Sequence, residues 1–147
     1  MGCVFCLSDE ATLPPDAGDL VVHAGTHCYV ILNLFPYNNG HLMVVPRRHT
    51  AALASLHATE LHELALFTQL AETAINEAYR PEGINVGINL GKSAGAGILE
   101  HLHVHLVPRW NGDTNFMTVV GATRVLPETL AASAARLRPI FARLAST

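Results

Sequence analysis

The stretch EHLHVHLVPRW, residues 100–110, places histidines at alternate positions, namely His101, His103 and His105. In a β-strand, residues two apart point to the same face of the sheet. We therefore predict a strand over residues 101–108, with the intervening aliphatic side chains in the core and the three imidazoles on the opposite face. Imidazole acts as nucleophile, acid, base or metal ligand near neutral pH. This face therefore indicates a functional site rather than a polar strand surface.

The length and composition predict one folded domain over residues 1–147. Half of the residues are hydrophobic and only 14% are charged, which argues against disorder. The net charge of −3 argues against a nucleic acid polymer as partner, because such proteins normally carry a basic excess. We find no signal peptide pattern and no apolar run long enough to span a membrane, so we expect no membrane partner. The three cysteines, two of them in a C-x-x-C pair, favour a reducing cytoplasm over a disulfide scaffold.

The remaining patterns predict an α+β fold. Residues 3–20 have the composition of an irregular opening segment. Further strands are expected at residues 28–34, 41–46 and 84–90, with the turn PYNNG joining the first two as a hairpin. The expected architecture is an antiparallel meander sheet of about five strands with one long helix and a C-terminal helix.

Two helices complete the prediction. The apolar residues of the first recur every three or four positions: Leu61, Leu64, Phe67, Ala71, Ala74 and Ala78. Thr59 is its expected N-cap, and Pro81 with Gly83 is expected to end it. The last helix is expected to start near Pro127, and Pro139 is expected to interrupt or kink it.

Three ordered motifs resemble those of the histidine triad (HIT) family. They are the histidine strand, LNLFPYNNGHLMVVPRRH at residues 32–49, and GINLGKSAGAG at residues 87–97. WNGDTNFM, residues 110–117, is similar to an extension found in bacterial members that act on diadenosine polyphosphates. The resemblance covers nearly the whole chain. It implies hydrolysis or transfer at the α-phosphate of a nucleotide, through a covalent nucleotidyl-histidine intermediate.

The resemblance also implies roles for individual residues. His103, the middle histidine, would be the nucleophile. His105 would hydrogen-bond the phosphate or the leaving-group bridge, and His41 would support the same pocket from the neighbouring strand. Asn33 matches a position that contacts the ribose, and Asn89 matches one near the phosphate.

The glycine loop, residues 91–97, is the predicted phosphate loop. Its glycines allow the backbone to approach a phosphate, whose oxygens accept hydrogen bonds from amide N–H groups. A flexible turn between strands is the alternative. The loop departs from well-known branches, because AGAG stands where they have Gln or Ser. The candidate phosphate-binding residues are therefore Ser93, the one nearby hydroxyl, together with Gly95, Ala96 and Gly97.

Cys3 and Cys6 form a C-x-x-C pair that alone is ambiguous among a zinc site, a redox pair and incidental cysteines. A thioredoxin-like motif would follow a strand and start a helix, which this segment does not offer. Zinc needs four N or S ligands. In zinc-bearing relatives, the other two come from the end of the second strand and from the histidine two before the nucleophile. The resemblance thus implies structural zinc at Cys3, Cys6, His49 and His101.

Several alternatives remain open at this point. His101, His103 and His105 could jointly hold a catalytic metal, or the chain could be a nucleotide-binding interaction module with little turnover. As an enzyme it could use water or inorganic phosphate as acceptor, and so be a hydrolase or a diadenosine tetraphosphate phosphorylase. Nucleoside phosphoramidates are a further substrate class. An antiparallel sheet edge and an apolar helix invite symmetric pairing, and the resemblance implies a homodimer.

Overall fold

The computed structural model describes residues 3–6, 20–96, 100–113 and 128–147. The strands formed by these residues are β1 (Val21–Ala24), β2 (Cys28–Leu32), β3 (Leu42–Pro46), β4 (Gly83–Ile88) and β5 (Val104–Arg109). The two α-helices are α1 (Ala58–Tyr79) and α2 (Leu130–Ala145), and short 3₁₀ turns lie at Leu53–Ser55 and Lys92–Ala94. None of the helices in these ranges is both long and apolar enough to cross a bilayer.

The strands form one antiparallel sheet in the order β1-β2-β3-β5-β4. This confirms the predicted α+β class and the number of strands. The sheet is a meander from β1 to β3, and β5 then lies between β3 and β4. The histidine strand is therefore interior and hydrogen-bonded on both sides, which makes it a rigid support for side chains. β1 lies just after the predicted opening segment and was not predicted, because four residues are too few to show a period.

The alternation predicted for the histidine strand is confirmed along β5. Val104, Leu106 and Pro108 are buried, whereas the residues between them are partly exposed. The strand begins at Val104 rather than at residue 101. At residues 101–103 the chain leaves the ladder with β3, and the Leu102 N–H donates instead to the carbonyl oxygen of Thr50, 2.7 Å away.

Helix α1 packs across β2, β3 and β5. It begins at Ala58 with His57 as N-cap, not Thr59, because His57 is extended and its N–H donates to the Glu60 carboxylate at 2.8 Å. Most of the predicted apolar face is confirmed as core. Leu61 is the exception: it is 47% exposed, so its expected core position was wrong.

Helix α2 packs on β1 and on α1. It begins at Leu130, where the Thr129 hydroxyl accepts the Ala132 N–H at 3.1 Å. Pro127, its expected start, lies outside the described residues. Pro139 does not interrupt the helix, which continues to Ala145.

Candidate functional site

A cavity of about 630 Å³ lies beside the start of β5. Its volume is in the range of small-molecule sites. The predicted site residues that line it are Asn33, Asn89, Gly95, Ala96, His101, His103 and His105. Apolar side chains, among them Leu20, Ile31 and Met43, form much of the remaining wall. The structure therefore brings most of the predicted nucleotide-binding residues to one cavity.

The His103 imidazole has a defined tautomer. Its Nδ1 lies 2.8 Å from the backbone carbonyl oxygen of His101. A carbonyl oxygen only accepts hydrogen bonds, so Nδ1 carries the hydrogen. In the neutral ring the lone pair is then on Nε2. Neutral His103 therefore has an unprotonated Nε2, which is what a nucleophilic imidazole requires.

His41 and His105 form a directed hydrogen-bond chain. The backbone N–H of Tyr37 donates to His41 Nδ1 at 3.0 Å, so the hydrogen of neutral His41 is on Nε2. His41 Nε2 lies 2.9 Å from His105 Nδ1 and donates to it. Neutral His105 consequently carries its hydrogen on Nε2, where it is available as a donor. The His103 and His105 rings are in edge contact, with centroids 4.6 Å apart.

Burial keeps this pair neutral. It lowers the pKa of His41 to about 4, and repulsion from the His105 and His103 imidazoles acts in the same direction. Burial likewise lowers the pKa of His105, with a further contribution from His103. Because a buried imidazole is costly to charge without a counter-ion, both rings are uncharged near pH 7.

The described part of the glycine loop is a tight turn. Gly91 and Gly95 have φ of 81° and 87°, positive values that side-chain-bearing residues rarely adopt. The amide of Gly95 donates to the Lys92 carbonyl and that of Ala96 donates to the Gly91 carbonyl, so phosphate contact through these two amides requires the turn to open.

Of the predicted loop residues, Ser93 and Gly97 are not among the described residues that line the cavity, for different reasons. Ser93 is exposed and does not line the cavity wall. The sequence indicated Ser93 only because it carries the nearest hydroxyl, and a hydroxyl's position in a chain does not fix its direction. Gly97 lies outside the described residues, as does the part of the WNGDTNFM motif beyond Asp113.

The residues Cys3, Cys6, His49 and His101 form a second cluster, which we call the metal set. Their ligand atoms all lie within 4.8 Å of one another. His101 Nδ1 is 3.4 Å from the Cys3 sulfur and 3.6 Å from the Cys6 sulfur, and His49 Nδ1 is 3.3 Å from the Cys6 sulfur. Two thiols and two imidazoles converging in this way match the donor set of a closed tetrahedral zinc site.

The orientation of His101 is consistent with a role as a ligand. Its Nε2 lies 2.7 Å from the Pro46 carbonyl oxygen and donates to it, which leaves Nδ1 free toward the thiols. Backbone carbonyls commonly orient metal-binding histidines in this way. Because His101 faces the cysteines while His105 bonds to His41, the three strand imidazoles do not converge. Among the described residues, the metal set is the one such group found, which disfavours a catalytic metal on the three histidines.

Three contributors to the site were not predicted from the sequence: Phe5, Tyr29 and the backbone amide of Tyr37. The Phe5 ring packs against both His101 and His103, and the Tyr29 hydroxyl donates to the Phe5 carbonyl oxygen at 2.7 Å. A signal for Phe5 was present, since it lies inside the C-x-x-C pair whose expected partner His101 is two residues from His103. The Tyr37 amide left no signal, because every residue except proline has a backbone N–H.

Comparison with known proteins places these features in a family. The HIT domain profile matches residues 16–112. "AP-4-A phosphorylase" of Mycobacterium tuberculosis is 53% identical over 115 residues, which are 78% of this chain and 59% of that protein. The chain thus spans about three fifths of the length of that relative. "Bis(5'-adenosyl)-triphosphatase" of Dictyostelium discoideum is 33% identical over 81 residues, 55% of this chain and 54% of that protein.

A solved structure supports the same relationship. The fold is similar to that of a Zn-bound histidine triad family protein from Mycobacterium smegmatis, with a TM-score of 0.68 and 30% sequence identity. The match covers 86% of each chain. Profile, sequence relatives and fold agree with the motifs at residues 32–49, 87–97 and 100–110, and the chain belongs to the HIT domain family.

Proposed function

We propose that this protein transfers a nucleotidyl group from the α-phosphate of a dinucleoside polyphosphate, through a covalent intermediate on His103. The observation that carries the proposal is the 2.8 Å hydrogen bond from His103 Nδ1 to the His101 carbonyl. In the neutral form of the ring this bond leaves the lone pair on Nε2, and His103 lines a cavity in the size range of small-molecule sites.

In the first step, His103 Nε2 attacks the α-phosphorus. A P–N bond forms, and the P–O bond to the leaving group breaks with its electron pair remaining on the oxygen. His105 Nε2–H hydrogen-bonds to that oxygen, and His41 fixes this tautomer of His105 by donating to its Nδ1. In the second step an acceptor oxygen attacks the phosphorus, the P–N bond breaks, and its electron pair returns to Nε2.

Inorganic phosphate is the acceptor that we favour. The relative described as a phosphorylase is 53% identical, whereas the one described as a triphosphatase is 33% identical over about half of this chain.

Substrate binding is assigned to the cavity wall. By analogy with the family motifs, we assign Asn33 to the ribose and Asn89 with residues 95–97 to the phosphates, and the turn must open to free the Gly95 and Ala96 amides for that contact. The apolar part of the wall suits a nucleobase, which buries its faces against aliphatic side chains.

Zinc is proposed for the metal set as a structural ion. Four protein ligands leave no open coordination position, so the ion would supply rigidity and not chemistry. Coordination requires both thiols to be reduced, which fits the proposed cytoplasmic location.

A homodimer is also proposed. Strand β4 lies at the edge of the sheet formed by the described residues, and its Val86 is 52% exposed. Leu61 and Leu66 on α1 are also exposed. An edge strand and apolar side chains of this kind suit isologous pairing. Light scattering at micromolar concentration should give the dimer mass, and a monomer mass would contradict this assignment.

A substrate panel with product identification tests the function. Diadenosine tri- and tetraphosphate, a nucleoside phosphoramidate and a nucleotidyl sulfate are each incubated with and without inorganic phosphate. Phosphorolysis of diadenosine tetraphosphate at the α-phosphate yields ADP and ATP, whereas hydrolysis yields AMP and ATP. We expect ADP in the presence of phosphate. Tight nucleotide binding without turnover on any member would instead identify a binding module.

A further inference from the structure

Phe5 connects the metal set to the candidate nucleophile. Its ring centroid lies 5.2 Å from that of His103 and 5.8 Å from that of His101, which it meets edge-on at 71°. Cys3 and Cys6 flank it along the chain. The tetrapeptide formed by residues 3–6 therefore carries one ring that contacts both His101 of the metal set and His103 at the cavity.

The tetrapeptide is held at several points. The Cys3 and Cys6 sulfurs meet the two imidazoles of the metal set, and the fully buried Tyr29 donates its hydroxyl to the Phe5 carbonyl oxygen. Because both neighbours in the C-x-x-C pair and its own carbonyl are fixed, Phe5 has little freedom to move away from His103.

His103 needs such a contact. One hydrogen bond from Nδ1 to a backbone carbonyl fixes the tautomer but still allows the ring to pivot about that bond. Ring contacts with His105 and Phe5 restrict the pivot. A nucleophile displaced by about 1 Å loses roughly a hundredfold in rate, so small pivots are costly.

We infer that Phe5 is a positioning residue for His103, and that the metal set contributes to catalysis by holding Phe5 in place. The inference rests on the proposed function. It assigns to the second x of the C-x-x-C pair a role that differs from metal binding and from simple lining of the nucleotide cavity.

The test compares Phe5→Leu with Phe67→Leu. Phe67 also packs edge-on against a histidine, His23, with centroids 4.8 Å apart, but it lies in the core on α1. We expect Phe5→Leu to lower kcat by roughly tenfold to a hundredfold, with KM changed by less than about threefold and zinc content unchanged. Phe5→Tyr, which keeps the ring, should retain most of the rate. Phe67→Leu should lower the melting temperature and leave kcat unchanged.

Three kinetic results would overturn the inference. The first is a wild-type kcat in Phe5→Leu. The second is a loss confined to KM, which would make Phe5 a cavity wall only. The third is a kcat loss that accompanies zinc loss and is reversed by added zinc, because Phe5 would then act through the metal.

A measurement without substrate separates this inference from the proposed function. The His103 Nδ1 proton, assigned by its absence in His103→Ala, should exchange with solvent faster in Phe5→Leu than in wild type. Unchanged exchange would overturn the positioning role. If the wild-type protein is inactive but the His103 Nδ1 proton exchanges faster in Phe5→Leu, the proposed enzyme function is refuted. The positioning of His103 by Phe5 is still supported in that case.

Discussion

His101 and His103 are two residues apart, yet they use opposite ring nitrogens. Each donates one N–H to a backbone carbonyl: His101 through Nε2 to Pro46, and His103 through Nδ1 to His101 itself. The nitrogen left over is Nδ1 in His101, facing two thiols, and Nε2 in His103, beside the cavity. The position of a carbonyl thus decides whether an imidazole on this chain is suited to a metal or to a phosphate.

The surroundings reinforce the difference. Around His101 the neighbours are Cys3, Cys6 and His49, which are metal ligands by type. Next to His103 is the neutral pair His105 and His41, which supplies an ordered N–H donor and no thiol. If this comparison is correct, substitutions around His101 should act directly on zinc content and stability and reach turnover only through Phe5, whereas substitutions around His103 should act directly on turnover.

The largest expected effect is that of His103→Ala on turnover. We expect kcat to fall by about 10³-fold or more, with KM nearly unchanged, because the interaction of a nucleophile is made in the transition state. Zinc content should stay at the wild-type level. Steady-state kinetics and elemental analysis measure both quantities. A near-wild-type kcat would remove His103 from the mechanism.

The next largest effect is expected from Cys3→Ser/Cys6→Ser. Protein purified without added metal should contain near-stoichiometric zinc in wild type and almost none in the double variant. The free energy of unfolding should fall by about 3–4 kcal/mol where free zinc is 100 to 1,000 times its dissociation constant. Cys28→Ala is the matched control, because Cys28 is fully buried in β2 outside the metal set and its loss should leave zinc content unchanged. A metal-free wild type of full stability would contradict the zinc assignment.

His41 should make stability depend on pH. Its folded pKa of about 4 lies below the ordinary value of 6.5, so the unfolded chain takes up a proton first as the pH falls. The contribution is fully present above pH 6.5 and is lost between pH 6.5 and about 4. We expect the loss from His41 to be roughly 3 kcal/mol. Urea unfolding at a series of pH values should give a shallower decline for His41→Asn than for wild type. Parallel curves would show that His41 is not held neutral by the fold.

His105→Ala should have a smaller effect than His103→Ala. We expect kcat to fall by about 10²-fold, since only a proton donor or phosphate contact is removed. The loss should be smallest for substrates whose leaving group is a stable anion, because such groups need little help from a donor. Comparing a phosphoramidate with a dinucleoside polyphosphate measures this difference. A loss equal to that of His103→Ala on both substrates would argue for a role in forming the covalent bond.

The fold was largely predictable because its signals are local. The alternation in the histidine strand is confirmed from Val104 to Pro108, and most of the helical period after Thr59 is confirmed; both patterns come from neighbouring residues. The insertion of β5 between β3 and β4 depends on pairing with β3, about 60 positions earlier in the chain. A pattern of neighbouring residues cannot predict such a distant pairing. Leu61 was misplaced because the helical period includes it, although 47% of its surface stays exposed.

The residues that form the candidate site were largely predictable from the sequence, but the orientations of their side chains were not. The family resemblance supplied His41, His103 and His105 as well as the four members of the metal set. The ring nitrogen that each histidine leaves free depends on where Pro46 and His101 direct their carbonyls. The Phe5 contact depends on how residues 3–6 fold against the sheet. Both are properties of the backbone path, and the sequence pattern does not contain them.

The most direct test of the contrast between His101 and His103 is to locate the covalent intermediate. The reaction is quenched in alkali, which spares a P–N bond that acid cleaves, and peptide 101–109 is sequenced by mass spectrometry. We expect the nucleotidyl mass on His103 during turnover, and its absence from His103→Ala. An adduct on His101 or His105, or full turnover with no adduct on any histidine, would contradict the assignment of the free Nε2 of His103 as the nucleophile.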